Sequence, residues 1–267
     1  MILGTLYSGS KGNAALICCG GAKILIDAGK SARALKRALG EMGYTPDELD
    51  AILITHEHCD HISMLENPVG FPDIPIHAAG GCADKLAALP SPYIQKNLVK
   101  HPPLFELTLG TVRITSFVTP HDSAASVGYR IEWEEDGVCH AIGYATDVGY
   151  LSKEVIDGLS GCEAVVIEAN HDIDMLWEGP YPYHLKRRIL SPRGHLCNTD
   201  CADLAAALYE SGTRAFLLAH LSEKNNHPAI AYDEVLSALP EGTLLMTADG
   251  NLPTRLVWEE SEGYHHA

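Results

Sequence analysis

Three imidazoles and two carboxylates fall within six residues of the stretch Thr55-His56-Glu57-His58-Cys59-Asp60-His61, directly after the apolar run Ala51-Ile52-Leu53-Ile54. A buried strand that ends in such a cluster delivers several metal-binding groups to one point at its carboxyl end. His56 and His58, two apart, can meet one ion as the chain leaves the strand, and Asp60 and His61 can turn toward a second. Neutral imidazole nitrogen and carboxylate oxygen are donors that Zn²⁺ takes at catalytic sites, and the same mixed set suits Mn²⁺ or Fe. A polar loop with merely solvated histidines is the plain alternative, and an H-x-H-x-D-H run after a buried strand argues against it.

Two ions need more ligands than one loop carries. The same residue types recur behind other strand-like runs: His121 and Asp122 after residues 114–118, Asp147 after 141–145, and His220 after 216–219. Singly, each has a dull explanation as a capping Asp or a loop His. Together with the first cluster, they are expected to converge on one edge of a sandwich.

The elements that must do this positioning can be read from periodicity and turn residues. Strands are expected over residues 1–6, 14–19, 23–26, 51–54, 74–78, 104–107, 111–118, 127–133, 138–144, 164–167, 214–219, 243–246 and 253–258. Helices are expected over 31–42, 81–89, 198–211 (with Thr199 or Asp200 as cap) and 228–239. The element order approximately repeats in the second half, which suggests two β-sheets face to face with helices outside. No linker or low-complexity stretch divides the halves, so residues 1–267 are read as one domain.

Bulk properties set outer limits. The 267 residues include 46% hydrophobic and 20% charged side chains, the balance of a soluble globular chain. The formal net charge of −16, from 35 acidic and 19 basic residues, disfavours an indiscriminate grip on nucleic acid. It leaves room for such a substrate if basic residues are gathered on one face. Eight scattered cysteines form no C-x-x-C pair, and no charged-then-apolar leader or 18-residue apolar stretch is present. A reducing cytoplasm and no membrane partner are the expectation.

In order along the chain, His56, His58, Asp60, His61, His121, Asp147 and His220 resemble the metallo-β-lactamase superfamily. The resemblance implies an α/β fold, a four-layer αβ/βα sandwich with a dinuclear site at one edge. It implies His56, His58 and His121 on one ion, Asp60, His61 and His220 on the other, and Asp147 bridging. Two divalent ions are the implied cofactor, Zn²⁺ first, with Mn²⁺ or Fe also suited. His58 stands where redox flavodiiron relatives carry Glu, which favours the hydrolytic branch. Finer likeness lies in residues 8–13, 168–172, 191–198 and 218–228, which are similar to the WalJ (YycJ-like) group, regarded as DNA exonucleases or phosphodiesterases. Glu168 and His195 are similar to the Glu…His pair of tRNase Z and other phosphodiesterases of the superfamily, which its β-lactamases and glyoxalases lack. Cys197 stands where that group is expected to have Ser.

The implied chemistry is phosphodiester hydrolysis on nucleic acid or another phosphodiester, with a metal-bridging hydroxide as nucleophile. Asp60 would direct that nucleophile, and His195, oriented and kept cationic by Glu168, would stabilise or protonate the leaving oxygen. Substrate-side candidates are Ser10 and Asn13 in the Gly-rich loop, His171, Arg193 and Asn226, with the basic run Lys186-Arg187-Arg188 nearby. Asp27 is expected to be structural. The competing readings are a carboxyl-ester, lactone or thioester hydrolase on the same fold, and a non-catalytic scaffold.

Overall fold

A computed structural model describes residues 1–259 and 263–266. One mixed sheet is built from Ile2–Tyr7 (β1), Ala14–Cys19 (β2), Ala22–Ile26 (β3), Ala51–Ile54 (β4), Ile76–Ala79 (β5) and Leu98–His101 (β6). The second holds Glu106–Leu109 (β7), Val112–Val118 (β8), Val127–Glu135 (β9), Val138–Ala145 (β10), Ala164–Glu168 (β11), Ala215–Ala219 (β12) and Leu244–Thr247 (β13). Thr254–Glu259 (β14) and Gly263–His266 (β15) return to the first sheet beside β1, giving the orders 15-14-1-2-3-4-5-6 and 13-12-11-10-9-8-7. Each half is an antiparallel meander (β1–β3, β8–β10) continued by parallel strands, which is the approximate repeat expected from the sequence.

The layers follow from which faces are apolar. Leu3, Ile17, Ile24 and Leu53 of the first sheet meet Ile114, Tyr129, Ile142 and Val166 of the second between the sheets. The outer face of the first sheet is covered by Ala32–Glu41 (α1), Cys59–Glu66 (α2), Gly80–Ala87 (α3) and Pro92–Asn97 (α4), through residues such as Leu35, Leu39, Leu65 and Leu86. The outer face of the second carries Lys153–Leu159 (α5), Asn198–Glu210 (α8) and Pro228–Ser237 (α9), through Val155, Leu204, Leu208 and Val235. Strands covered on both faces read as unbroken apolar runs, as β4 does with all four residues buried. The result is the four-layer αβ/βα sandwich. Ile173–Glu178 (α6) and Tyr183–Ile189 (α7) form a further helical hairpin.

Several sequence expectations shift. The strand expected at 74–78 runs Ile76–Ala79, and the one expected at 104–107 begins at Glu106. Residues 91–101, for which the sequence predicts no element, contain the Ser91-capped α4 and the edge strand β6, whose alternation is weak because two of its four residues are exposed. The short helices α2, α5, α6 and α7 have too few turns for a periodic signal in the sequence. The cap of α8 is Cys197, whose Sγ accepts from Asp200 N at 3.4 Å, and not Thr199 or Asp200. Thiol sulfur is a weak acceptor, so Cys197→Ser should raise stability by about 0.5–1 kcal/mol. That corresponds to a midpoint some 1–4 °C higher in thermal unfolding; an unchanged or lower midpoint would show that the sulfur's packing matters more.

Among the described residues no helix is long and apolar enough to cross a membrane. All eight cysteines are free thiols.

Candidate active site

Parallel strand pairing decides where the chemistry gathers. β3 pairs parallel with β4, and β10, β11 and β12 run parallel to one another, so their carboxyl ends open on the same edge of each sheet. From those ends come Asp27, His56, Asp147, Glu168 and His220. Asp27, Asp147 and His220 each turn sharply out of their strand with φ of 60°, 58° and 57°. Asp and His are among the few side-chain-bearing residues that tolerate this left-handed region. Two bonds tie the second sheet to the cluster: Tyr129 Oη donates to Ile54 O (2.6 Å) and Val127 N donates to Thr55 O (3.1 Å).

Backbone contacts fix the cluster loop from the other side. Asn13 N donates to Asp60 O (2.7 Å), Ala28 N to His61 O (2.7 Å) and Gly29 N to Asn13 O (2.8 Å). A Cβ on Gly29 would lie 1.6 Å from the Asp60 carbonyl oxygen, so only glycine permits this approach.

The seven expected ligands come together. Candidate donor atoms of His56, His58 and His121 lie within 4.8 Å of one another, as do those of Asp60, His61 and His220. Asp147 lies between the groups, with Oδ2 3.3 Å from His61 Nε2 and Oδ1 3.7 Å from His121 Nε2. Four of the histidines place an outer ring nitrogen against a protein oxygen: His56 Nδ1 at Thr55 Oγ1 (3.1 Å), His61 Nδ1 at Asp27 Oδ2 (2.8 Å), His121 Nδ1 at Gly194 O (3.0 Å) and His220 Nδ1 at Glu168 Oε1 (2.7 Å). A proton held outward leaves the inner Nε2 as a lone-pair donor, the arrangement of metal-ligating histidines.

The residues fit a cation on a second count. His56 Nε2, His220 Nε2 and Asp147 Oδ2 are buried and make no hydrogen bond. A buried polar atom left unmatched costs about 1–3 kcal/mol, and a divalent ion would satisfy all three. Burial, reinforced by neighbouring histidines, pushes the His56 pKa well down, keeping it a neutral donor. Burial also opposes a charge on His61, but Asp147 and Asp27 outweigh it and hold its pKa up at about 9. Positive charge is thus favoured among these carboxylates.

Glu168 is fully buried and saturated. Its Oε2 accepts from Val148 N (2.9 Å) and Leu196 N (3.1 Å), and its Oε1 from His195 Nδ1 (2.9 Å) and His220 Nδ1 (2.7 Å). Burial alone would push its pKa up, but His195 and His220 hold it well below the usual range. With every lone-pair direction engaged, Glu168 orients two imidazoles and has none left for an ion. That it holds His220 as well as His195 is not visible in the sequence, where Glu168 and His220 lie 52 residues apart.

An open cavity of about 270 Å³ sits over the cluster, with Asp60, His195, Ser10, Tyr181 and Arg188 on its wall. Of the five residues expected to face substrate, Ser10 alone lines this cavity. Asn13 is buried and braces the loop, with Nδ2 donating to Asp60 Oδ2 (3.3 Å) and lying 3.1 Å from His61 Nε2. His171 is buried and forms no part of the wall, and Asn226 is taken up by Ala169 O and Asn198. Arg193 is exposed and forms no part of the wall. Arg188 takes the place expected of Arg193, anchored by both oxygens of Asp122 (2.5 and 2.9 Å). Asp122 is thereby an anchor for that guanidinium. Lys186 is withdrawn from solvent with Nζ donating to Trp177 O (2.5 Å), so it is no phosphate contact. Nothing in the sequence marked Tyr181.

Asp27 braces the cluster, accepting from Thr55 N and Thr55 Oγ1 (both 2.8 Å) besides His61. Asp27→Asn keeps the left-handed turn but replaces one acceptor oxygen by a donor. Metal affinity, measured by competition with a chelator, should fall about 10–100-fold; an unchanged affinity would show that Asp27 does not orient His61.

Comparison with known proteins agrees. The model of the Beta-lactamase superfamily domain matches residues 22–221. The chain is 33% identical over 260 residues to Exodeoxyribonuclease WalJ of Streptococcus pneumoniae serotype 2, covering 91% of this chain and 90% of that one. It is 34% identical over 238 residues to Exodeoxyribonuclease YycJ of Bacillus anthracis, covering 88% of each. The solved metallo-beta-lactamase fold protein YhfI from Bacillus subtilis shares the fold at TM-score 0.68 and 19% identity, over 95% of this chain and 99% of that one. The chain belongs to the beta-lactamase superfamily and is a metal-dependent hydrolase.

Proposed function

We propose that this protein is a phosphodiesterase with a two-ion site, acting on nucleic acid as a DNA exonuclease-like nuclease. The observation that carries the reading is His195 on the cavity wall, its Nδ1 bound to a carboxylate that is itself fully buried and saturated. Similarity over most of the chain to two proteins named exodeoxyribonucleases supports nucleic acid as the substrate class.

His56, His58 and His121 would hold one ion, Asp60, His61 and His220 the other, and Asp147 both; Zn²⁺ suits this donor set first, with Mn²⁺ or Fe as alternatives. Such ions supply Lewis acidity and bring the pKa of water near neutrality. Asp60, on the cavity wall, accepts a hydrogen bond from the attacking water and fixes its direction. His195 turns Nε2 to the departing oxygen and donates its proton as that bond breaks. Glu168 keeps the His195 Nδ1 proton in place and so fixes the orientation of the ring. Arg188, held rigid by Asp122, faces the anionic substrate.

Bis-p-nitrophenyl phosphate and p-nitrophenyl acetate expel the same p-nitrophenolate, so comparing them reads the choice between phosphorus and acyl carbon alone. The diester should be turned over in preference to the acetate or a thioester. Ester turnover without diester turnover would overturn the assignment.

A further inference from the structure

We propose that the α6–α7 hairpin is a docking platform for the single-stranded end of a nucleic acid, whose bases stack on Trp177 and Tyr183 while Arg187 and Arg188 meet its phosphates. The inference rests on the phosphodiesterase reading and names the form of substrate. A cavity of about 270 Å³ holds little more than one reacting unit of a polymer, so the rest of the strand must lie outside it. What lies next outside is this hairpin, because Tyr181, Leu185 and Arg188 belong to it and already form part of the wall.

The hairpin's two faces differ. Leu176 and Ile189 are buried, whereas Trp177 and Tyr183 are 46% and 63% exposed and add nothing to the core. Their ring centroids are 6.2 Å apart at 34°, and the Arg187 guanidinium lies 6.0 Å from the Tyr183 ring. Lys186, bonded to Trp177 O, ties α7 to the end of α6 and keeps the two rings on one rigid unit. Of the hairpin's cations, Lys186 is withdrawn and Arg188 is anchored by Asp122, so Arg187, beside the Tyr183 ring, is the one open toward solvent next to the two rings. Exposed rings beside arginines, continuous with a hydrolytic cavity, match the stacking and phosphate contacts of single-strand binders. Inside a duplex the base faces are already stacked on their neighbours, so only its terminal pair offers a face, whereas an unpaired strand offers a base to each ring.

The test compares the metal-loaded wild type with the double variants Trp177→Ala/Tyr183→Ala and Trp177→Phe/Tyr183→Phe. Turnover of bis-p-nitrophenyl phosphate is measured for each. Binding of cleavage-resistant phosphorothioate oligo-dT, oligo-U and a blunt duplex is read by fluorescence anisotropy, and oligomeric state by sedimentation. The alanine variant should keep small-diester turnover and bind single strands at least ~10-fold more weakly, with duplex binding little changed and the phenylalanine variant largely restored. Oligo-dU, which differs from oligo-U in the sugar alone, is measured beside them to identify the sugar. Unchanged single-strand affinity, an equal loss on duplex, or loss of small-diester turnover in the alanine variant would overturn the platform. A wild-type dimer that the alanine variant dissociates would also overturn it, assigning the rings to a second copy. Should wild type turn over esters and no diester while strand binding still depends on the rings, the platform stands and the phosphodiesterase reading fails.

Discussion

Asp147→Ala should leave a folded chain that retains fewer ions than wild type and shows no measurable turnover. Asp147 is buried between the two ligand groups, with Oδ2 unmatched by any hydrogen bond and Oδ1 3.6 Å from His220 Nδ1. Without it, the two ligand groups proposed around His56 and His61 lose the carboxylate that lies between them. The loss should exceed the about 10–100-fold typical of groups that only support a ligand. Alanine at φ 58° also carries about 1–2 kcal/mol of backbone strain. Asp147→Asn, which tolerates that turn, separates the two effects. Elemental analysis alongside circular dichroism gives the answer, and an unchanged ion count in a folded Asp147→Asn or Asp147→Ala protein would contradict the bridging role.

His195→Ala should lower turnover by about 10²–10⁴-fold, the scale of a lost general acid, with ion content intact. The defect should depend on the leaving group. p-Nitrophenolate departs readily without a proton, so bis-p-nitrophenyl phosphate should lose least; the alkoxide of a nucleotide needs the proton and should lose most. A uniform loss across leaving groups would make His195 a structural prop, and loss of metal would make it a ligand. Glu168→Gln should repeat the pattern more weakly, although the same change loosens His220.

The difference between what could and could not be read in advance has a physical cause. Metal ligands cluster at strand ends, and strands covered on both faces are unbroken apolar runs, so the Ala51–Ile54 strand and the residues behind it were plain in the sequence. Asp147 and His220 could be anticipated for the same reason, each sitting one or two residues after such a run. The substrate wall obeys no such rule. Arg188 and Tyr181 reach the cavity only because α7 folds back over it, and α6 and α7, of six and seven residues, are too short to show a helical period. Asn13 and Asn226 looked like substrate groups because polar residues in loops usually face water. Here they are buried, spending their hydrogen bonds on Asp60 and Asn198. The dual grip of Glu168 joins residues far apart in sequence through tertiary packing alone.

Seven side chains form the proposed two-ion centre, and ion stoichiometry tests it most directly. Metal-stripped protein dialysed to equilibrium against Zn²⁺, and in parallel Mn²⁺, should take up two ions per chain. Saturation at one ion or fewer would contradict the shared role of Asp147, the two ligand groups, and the hydrolytic chemistry built on them.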